Sequence, residues 1–423
     1  MSIFAPEVSK TRVLVVDDST SYRRLLMRHL QAWGGYEILE AADGDEAMAM
    51  ILEHGVGIVI SDWEMPGMSG PDLCLAVRDA GLDHYVYFIL VSSRNETDDF
   101  MMGMESGADD FLGKPIDQQE LRFRLRVARR ILDLEAKLEE RNRRLASVNR
   151  MVEQDLRAAA QMQMALLPRP DVRIEPVECR WIYQPSMFVS GDMHNFFMLD
   201  RTRLAFYMID VAGHGIKPAM VSVTLSRLLA PDSRLVREDR GARSGQPRPP
   251  SDVLTELNRT FKMSDDSSTY FTMVYGVLDT STGHGVLARA GHPHPLVANA
   301  REGVVHAVDE GGVPIGLMDD PVYQDAAFIL SPGDVLVLYT DGITECENPA
   351  GAHYGEERLR DVILDCLRRP LDHVIKEIRG RLESWRGPTR QAFDDDISLL
   401  AFRYQPVFGA SGAPLPEKYK EEQ

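Results

Sequence analysis

Short runs of aliphatic and β-branched residues alternate with helical patterns through the first third of the chain. They are Arg12-Val-Leu-Val-Val, Tyr36-Glu-Ile-Leu, Gly57-Ile-Val-Ile, Tyr87-Phe-Ile-Leu-Val and Asp110-Phe-Leu-Gly. Five βα units in succession predict a doubly wound, five-stranded parallel sheet. The pattern then changes. From Ile131 the apolar positions are Ile131, Leu134, Leu138, Leu145, Val148, Val152, Ala159, Met162 and Leu166, a 4-3 spacing broken by Arg141 and Asp155. One reading is a single amphipathic helix packed on a domain; about five heptads with few apolar residues off the stripe favour a self-associating coiled coil. Pro168 and Pro170 end the helix. Residues 176–404 alternate strands and hairpins (Arg203-Leu-Ala-Phe-Tyr-Met-Ile, Phe271-Thr-Met-Val-Tyr-Gly-Val-Leu, Asp334-Val-Leu-Val-Leu-Tyr) with long helical stretches, which predicts an α+β domain. Residues 231–250, rich in Arg, Pro, Gly and Ser, read as a mobile surface loop, and the stretch from Pro406 as a disordered tail.

Length and charge narrow the partners. A chain of 423 residues is too long for one core and fits two or three domains. With 65 acidic against 47 basic residues and a formal charge of −18, neither nucleic acid nor an anionic membrane is expected as a main partner. The N-terminal stretch has no signal-peptide pattern, and no segment approaches the roughly 20 apolar residues of a membrane span, so a cytoplasmic protein is expected. Cys74, Cys179, Cys346 and Cys366 are scattered without CxxC spacing, which indicates neither disulfides nor zinc.

Candidate chemistry lies at the carboxyl ends of the predicted parallel strands: Asp17 and Asp18 after the first, Asp62 after the third, Ser92 after the fourth, Lys114 after the fifth. Ligand crevices of open α/β sheets lie at these ends. Three crowded carboxylates need a cation to stay ionised, and hard oxygen ligands suit Mg²⁺. A carboxylate beside Mg²⁺ can attack a phosphoryl donor while an ammonium and a hydroxyl neutralise the transferred oxygens. Over nearly all of residues 10–132, including Asp62-Trp-Glu-Met-Pro-Gly-Met-Ser-Gly, the chain resembles the flavodoxin-like receiver domains of bacterial two-component response regulators. The resemblance implies Asp62 as phosphoacceptor, Asp17 and Asp18 as the acidic metal pair with the Trp63 carbonyl completing the site, and Ser92 and Lys114 as the phosphate-sensing pair. Phe111 stands at the aromatic switch position. Lacking a hydroxyl, it would act by packing alone, the alternative being a plain core residue.

A second acidic set lies in the C-terminal half: Ser190-Gly-Asp192, Asp210-Val-Ala-Gly-His-Gly, Thr340-Asp341-Gly and Asp394-Asp-Asp-Ile-Ser. Carboxylates delivered from several strands, with glycine beside them, are what a two-metal site needs. Two cations about 3.5–4 Å apart activate one water in line with a phosphorus atom, without a phosphoenzyme. About residues 155–404 resemble the PPM-type (protein phosphatase 2C-like) serine/threonine phosphatases of the bacterial sigma-factor-regulating branch. Further segments carrying this resemblance are Ala160-Gln-Met-Gln-Met-Ala-Leu-Leu-Pro, Ala290-Gly-His-Pro, Pro314-Ile-Gly and Leu338-Tyr-Thr-Asp-Gly-Ile-Thr-Glu. It implies an α-β-β-α sandwich and two Mn²⁺ or Mg²⁺ ions held by Asp192, Asp210, Asp341, Asp395 and the Val211 carbonyl, with Asp396 the alternative to Asp395. Asn195 replaces a family acid, which would reduce metal affinity while leaving an amide to orient a metal-bound water. His214 and His292, in Gly-flanked turns, are expected to support the site rather than to catalyse.

The domains expected are a receiver at 10–130, a coiled-coil linker at 131–168, a phosphatase at 169–404 and a tail at 405–423. A histidine kinase or phosphotransfer protein would phosphorylate Asp62, and the Ala158-to-Leu167 segment would carry the change to the metals of a homodimer joined through the coiled coil. The resemblance implies a phosphorylated anti-sigma-factor antagonist as substrate. A phosphoprotein-binding scaffold with weakened catalysis is the other reading, favoured only by Asn195.

Overall fold

The computed structural model describes residues 10–93, 105–169, 172, 174–238, 245–261, 269–388 and 393–406. The chain divides into two compact units, Met1–Met151 and Val152–Gln423.

In the first unit β1 (Thr11–Val16), β2 (Tyr36–Ala41), β3 (Ile58–Asp62), β4 (Tyr87–Ser92) and β5 (Asp110–Gly113) form a parallel sheet in the order β2-β1-β3-β4-β5. All five predicted runs lie on these strands. Their apolar residues are continuous because both faces are covered. Leu14, Val16, Val59, Phe88 and Leu90 pack with α2 (Gly44–His54) and α3 (Gly70–Asp79). Val13, Val15, Ile58, Ile60 and Ile89 pack with α1 (Thr20–Trp33) and the first turns of α4 (Gln118–Met164), through Leu26, Leu30, Leu121, Leu125 and Ala128. Local chemistry sets two helix starts. Asp43 accepts from the Glu46 N–H, and Ser69 and Asp72 form a reciprocal capping box.

Helix α4 is one 47-residue helix. The last helix of the α/β unit therefore continues into the predicted coiled-coil segment, with no break at Ile131. Past its buried first turns, Leu134, Leu138, Leu145, Val148 and Val152 are all exposed. A single chain leaves this stripe uncovered.

The second unit pairs two antiparallel sheets. One, in the order β13-β10-β9-β8-β7, contains β7 (Met193–Met198), β8 (Arg203–Val211), β9 (Phe271–Asp279), β10 (His284–Ala290) and β13 (Ala326–Ile329). The other, β12-β11-β14-β15-β6, contains β6 (Val177–Gln184), β11 (Leu296–Asn299), β12 (Val304–Ala307), β14 (Val335–Tyr339) and β15 (Ile397–Tyr404). Phe206, Met208, Leu336, Leu338, Leu400 and Phe402 fill the space between the sheets. Intervening residues face outward onto helices. Tyr207 and Ile209 meet α5 (Ile216–Leu228) and α6 (Pro250–Thr260), while Val335, Val337 and Ala401 meet α8 (Glu356–Cys366) and α9 (Leu371–Arg386). The period-2 alternation thus builds the α-β-β-α sandwich from both faces of each sheet.

The described flanks of the predicted mobile loop are anchored: Val236 is fully buried and Arg237 bridges to Pro247. Residues 239–244 of that stretch, and 407–423 of the expected tail, lie outside the described residues. All four cysteines are free and buried. Among the described residues no helix is long and apolar enough to cross a membrane.

Candidate functional site

In the parallel sheet, β3 ends on Asp62, and Asp17 and Asp18 follow β1 directly. The three carboxylates offer oxygens within 4.8 Å of one another, Asp17 and Asp62 buried and Asp18 exposed. Lys114, immediately after β5, places Nζ 2.9 Å from Asp17 Oδ2 and 2.8 Å from Asp62 Oδ2. Burial raises the Asp62 pKa, with the Asp17 charge adding to it and Lys114 opposing. Burial works to lower the Lys114 pKa, but hydrogen bonds to Asp62 and Asp17 outweigh it and the net shift is upward. One ammonium against three carboxylates leaves negative charge over, and an all-oxygen donor set fits Mg²⁺.

Ser92 ends β4 in register with Gly113, and its carbonyl accepts from the Lys114 N–H at 2.7 Å. Phe111 is half-buried and meets Trp63 edge-on, centroids 6.1 Å apart. The aromatic at the switch position therefore touches the residue following the phosphoacceptor candidate. The Trp63 carbonyl accepts from the Gly70 N–H at 3.0 Å, which leaves one lone pair for an ion. Sequence reasoning missed Tyr22, whose ring lies 4.5 Å from Lys114 Nζ. Its place in the first turn of α1, just after Asp17 and Asp18, was the available signal.

The second acidic set gathers at one end of the sandwich and straddles both sheets. Asp192 precedes β7 and Asp210 lies in the last turn of β8, whereas Asp341 follows β14 and starts the short α7 (Asp341–Thr344), and Asp395 precedes β15. Burial raises the pKa of all four. Asp210 is pushed up to about 8, with the charges of Asp341, Asp395, Asp396 and Glu345 adding to burial. Glu345, overlooked as a site residue, also raises Asp341. Such mutual repulsion is relieved by cations. Among the described residues no three of these carboxylates bring oxygens within 4.8 Å of one another. Glycine is required beside them. A Cβ on Gly191 would lie 2.7 Å from the Val211 carbonyl oxygen, and one on Gly342 2.1 Å from that of Asp396.

The remaining polar residues divide clearly. Thr340 Oγ1 donates to Asp192 Oδ2 at 2.9 Å across the two sheets. Asp396 accepts from the Ser186 N–H and hydroxyl, the Ser190 hydroxyl and the Gly191 N–H. Its four lone-pair directions are taken, whereas Asp395 feels Asp341 and His214. His292 is buried with Nδ1 2.7 Å from Thr272 Oγ1, and Thr272 pairs with Asp210. The Asn195 amide donates to the Leu166 carbonyl at 3.1 Å and its oxygen accepts from the Phe196 N–H, which ties it to the end of the linker.

Gln163, in the last turn of α4, was not singled out from the sequence beyond its motif. Its Nε2 donates to the Ser190 carbonyl at 2.7 Å and to Ser222 Oγ at 3.1 Å, and its Oε1 accepts from the Ser190 N–H. The side chain is 3% exposed. A fully engaged buried amide of this kind positions the backbone it grips.

Residues 13–126 match the response regulator receiver domain family, and residues 200–405 match the Stage II sporulation protein E (SpoIIE) family. Protein IcfG of Synechocystis sp. (strain ATCC 27184 / PCC 6803 / Kazusa) is 24% identical over 275 residues, covering 60% of this chain and 42% of that protein. The phosphoserine phosphatase RsbU of Bacillus subtilis (strain 168) is 26% identical over 259 residues, covering 61% of this chain and 72% of that protein. The chain spans about half the length of the curated relatives it matches, for example 42% of IcfG and 57% of the phosphoserine phosphatase RsbP. The solved SiaA-PP2C domain of Pseudomonas aeruginosa, at 21% identity and a TM-score of 0.51, covers 62% of this chain and 100% of that domain, a likeness of fold. Taken with the two sheet topologies, these matches identify the chain as an N-terminal response regulator receiver domain joined to a C-terminal phosphatase domain of the SpoIIE/PP2C type.

Proposed function

We propose that phosphorylation of Asp62 by a histidine kinase or phosphotransfer protein controls a metal-dependent phosphoserine/phosphothreonine phosphatase whose substrate is a phosphorylated anti-sigma-factor antagonist. The receiver extends over 10–130, the linker over 131–168 and the phosphatase over 169–404. Asp62 is the nucleophile toward phosphorus. Asp17, Asp18 and the remaining lone pair of the Trp63 carbonyl would hold Mg²⁺, and Lys114 and Ser92 would meet the transferred oxygens. A phosphoryl group on Asp62 competes for the Lys114 ammonium that now bridges Asp17 and Asp62, and Phe111 responds through its contact with Trp63.

In the phosphatase, Asp192, Asp210, Asp341, Asp395 and the Val211 carbonyl would hold two Mn²⁺ or Mg²⁺ ions, which would supply charge neutralisation and an activated water. The chain's own residues hold the carboxylates in place, Thr340 on Asp192 above all. The observation that carries the reading is the Gln163–Ser190 contact, which sets the last turn of α4 against the loop bearing Asp192. The similarity to RsbU, a phosphoserine phosphatase, supports the substrate class.

Phosphatase rates measured at fixed, saturating Mg²⁺ with and without beryllofluoride should differ in the parent and be equal in Asp62→Asn; equal rates in the parent defeat the control mechanism. Mn²⁺-dependent hydrolysis of a generic phosphate ester should fall by about 100-fold or more in Asp341→Ala. Retained hydrolysis there defeats the metal assignment. The scaffold reading rests on Asn195 standing in place of a family acid; Mn²⁺-dependent ester hydrolysis by the parent defeats it.

A further inference from the structure

Asp396 is 7% exposed and, among the described residues, has no cationic partner. Four donors hold it instead. Oδ1 accepts from the Ser186 N–H at 2.7 Å and the Ser186 hydroxyl at 2.9 Å. Oδ2 accepts from the Ser190 hydroxyl at 2.6 Å and the Gly191 N–H at 2.9 Å. Charge-assisted bonds of this number offset the burial of a carboxylate. They also saturate it, leaving no lone pair for an ion.

The donors belong to the loop that leads to Asp192 and β7, in one sheet, while Asp396 itself lies between Asp395 and β15, in the other. Its main-chain oxygen abuts Gly342, the residue after Asp341. Ser190 Oγ, which donates to Asp396, also accepts from the Asp192 N–H at 3.0 Å. Asp396 thus links the backbone bearing three of the four metal-ligand candidates, its side chain gripping the loop before Asp192 and its main chain adjoining Asp395 and Gly342. We infer that Asp396 is a positioning residue for the two-metal centre, fixing the Ser190–Gly191 peptide so that Asp192 faces Asp395 and Asp341 at the separation two ions require. This rests on the phosphatase reading above. Gln163 grips the same peptide from the linker side, so Asp396 is the fixed jaw against which any movement of α4 acts.

The chemistry makes an unusual demand on the conservative variant. Asparagine keeps one acceptor oxygen and presents an NH2 group to two donors, so Asp396→Asn should behave nearly as badly as Asp396→Ala. The test titrates Mn²⁺ by electron paramagnetic resonance on the full chain carrying Asp17→Asn and Asp18→Asn, which leaves the C-terminal site to be measured. Asp396→Asn should weaken Mn²⁺ binding about 10- to 100-fold. At saturating Mn²⁺, kcat for a generic phosphate ester should return to within about threefold of the parent with KM for the ester unchanged, which general loss of structure would not allow. Unchanged Mn²⁺ affinity overturns the assignment. If Asp396→Asn does not fold by circular dichroism, Ser186→Ala, which removes one of the four donors, should shift Mn²⁺ affinity in the same direction by a few-fold; no shift overturns it. A parent that binds Mn²⁺ at this site without hydrolysing the ester defeats the phosphatase reading while the binding comparison still decides the role of Asp396. A parent that binds none there defeats both.

Discussion

His194 sits fully buried between Trp181 and Tyr183, and among the described residues neither of its ring nitrogens has a hydrogen-bond partner. Burial drives its pKa down to about 3, so the imidazole is neutral. A histidine whose pKa is depressed on folding has no linkage cost above its unfolded value near 6.5 and destabilises the fold increasingly as pH falls from there toward 3. His292, also lowered to about 3, acts in the same direction. His194→Phe keeps the ring and removes two orphaned polar atoms, so it should raise stability by about 1–3 kcal/mol near neutral pH and shift acid unfolding to lower pH. Thermal melts across pH 3 to 7 check this, and an unchanged acid limb contradicts it. Residue-level chemistry was legible where strand position alone decided it, as for Asp62 and Lys114. The contact of Asn195 was not legible: β7 alternation places that side chain on the Met193 face, toward Leu166. Asp396 was beyond reach for another reason: its contacts to Ser190 and Gly191 join residues 206 and 205 positions apart.

At the scale of elements, the 4-3 stripe of α4 was readable because its period is local, and so were the five parallel strands. The continuity of the helix through Ile131 was not drawn from the sequence, although no Gly or Pro interrupts residues 118–167. What changes at Ile131 is the partner of the apolar face. Leu121, Leu125 and Ala128 bury against the sheet, whereas Leu134, Leu138 and Leu145 are exposed. A second copy of the helix would cover them, and Arg141 would interrupt that seam. Arg141→Leu should therefore tighten self-association, by about 1.5–3 kcal/mol if the new side chain is fully buried. Sedimentation equilibrium measures the change, and an unaltered association constant would show that the stripe is not the seam.

At the scale of the whole molecule, each unit has its own apolar core, so heating should give two transitions rather than one. Beryllofluoride with Mg²⁺ should raise the receiver transition in calorimetry, an effect lost in Asp62→Asn. A single transition moving as one would contradict the division. The order of elements made both architectures legible, but the packing of the two antiparallel sheets decides which carboxylates meet, and no local pattern encodes that. Helix α4 adds a constraint of another kind. At 1.5 Å per residue its 47 residues extend about 70 Å, and each residue turns the helix by about 100°. Inserting seven residues lengthens it by about 10 Å yet leaves the angular phase within about 20°, while inserting two turns it nearly to the opposite side. On the proposed coupling, a seven-residue insertion should leave the response to beryllofluoride intact and a two-residue insertion should abolish it; equal responses in the two variants contradict transmission by helix phase.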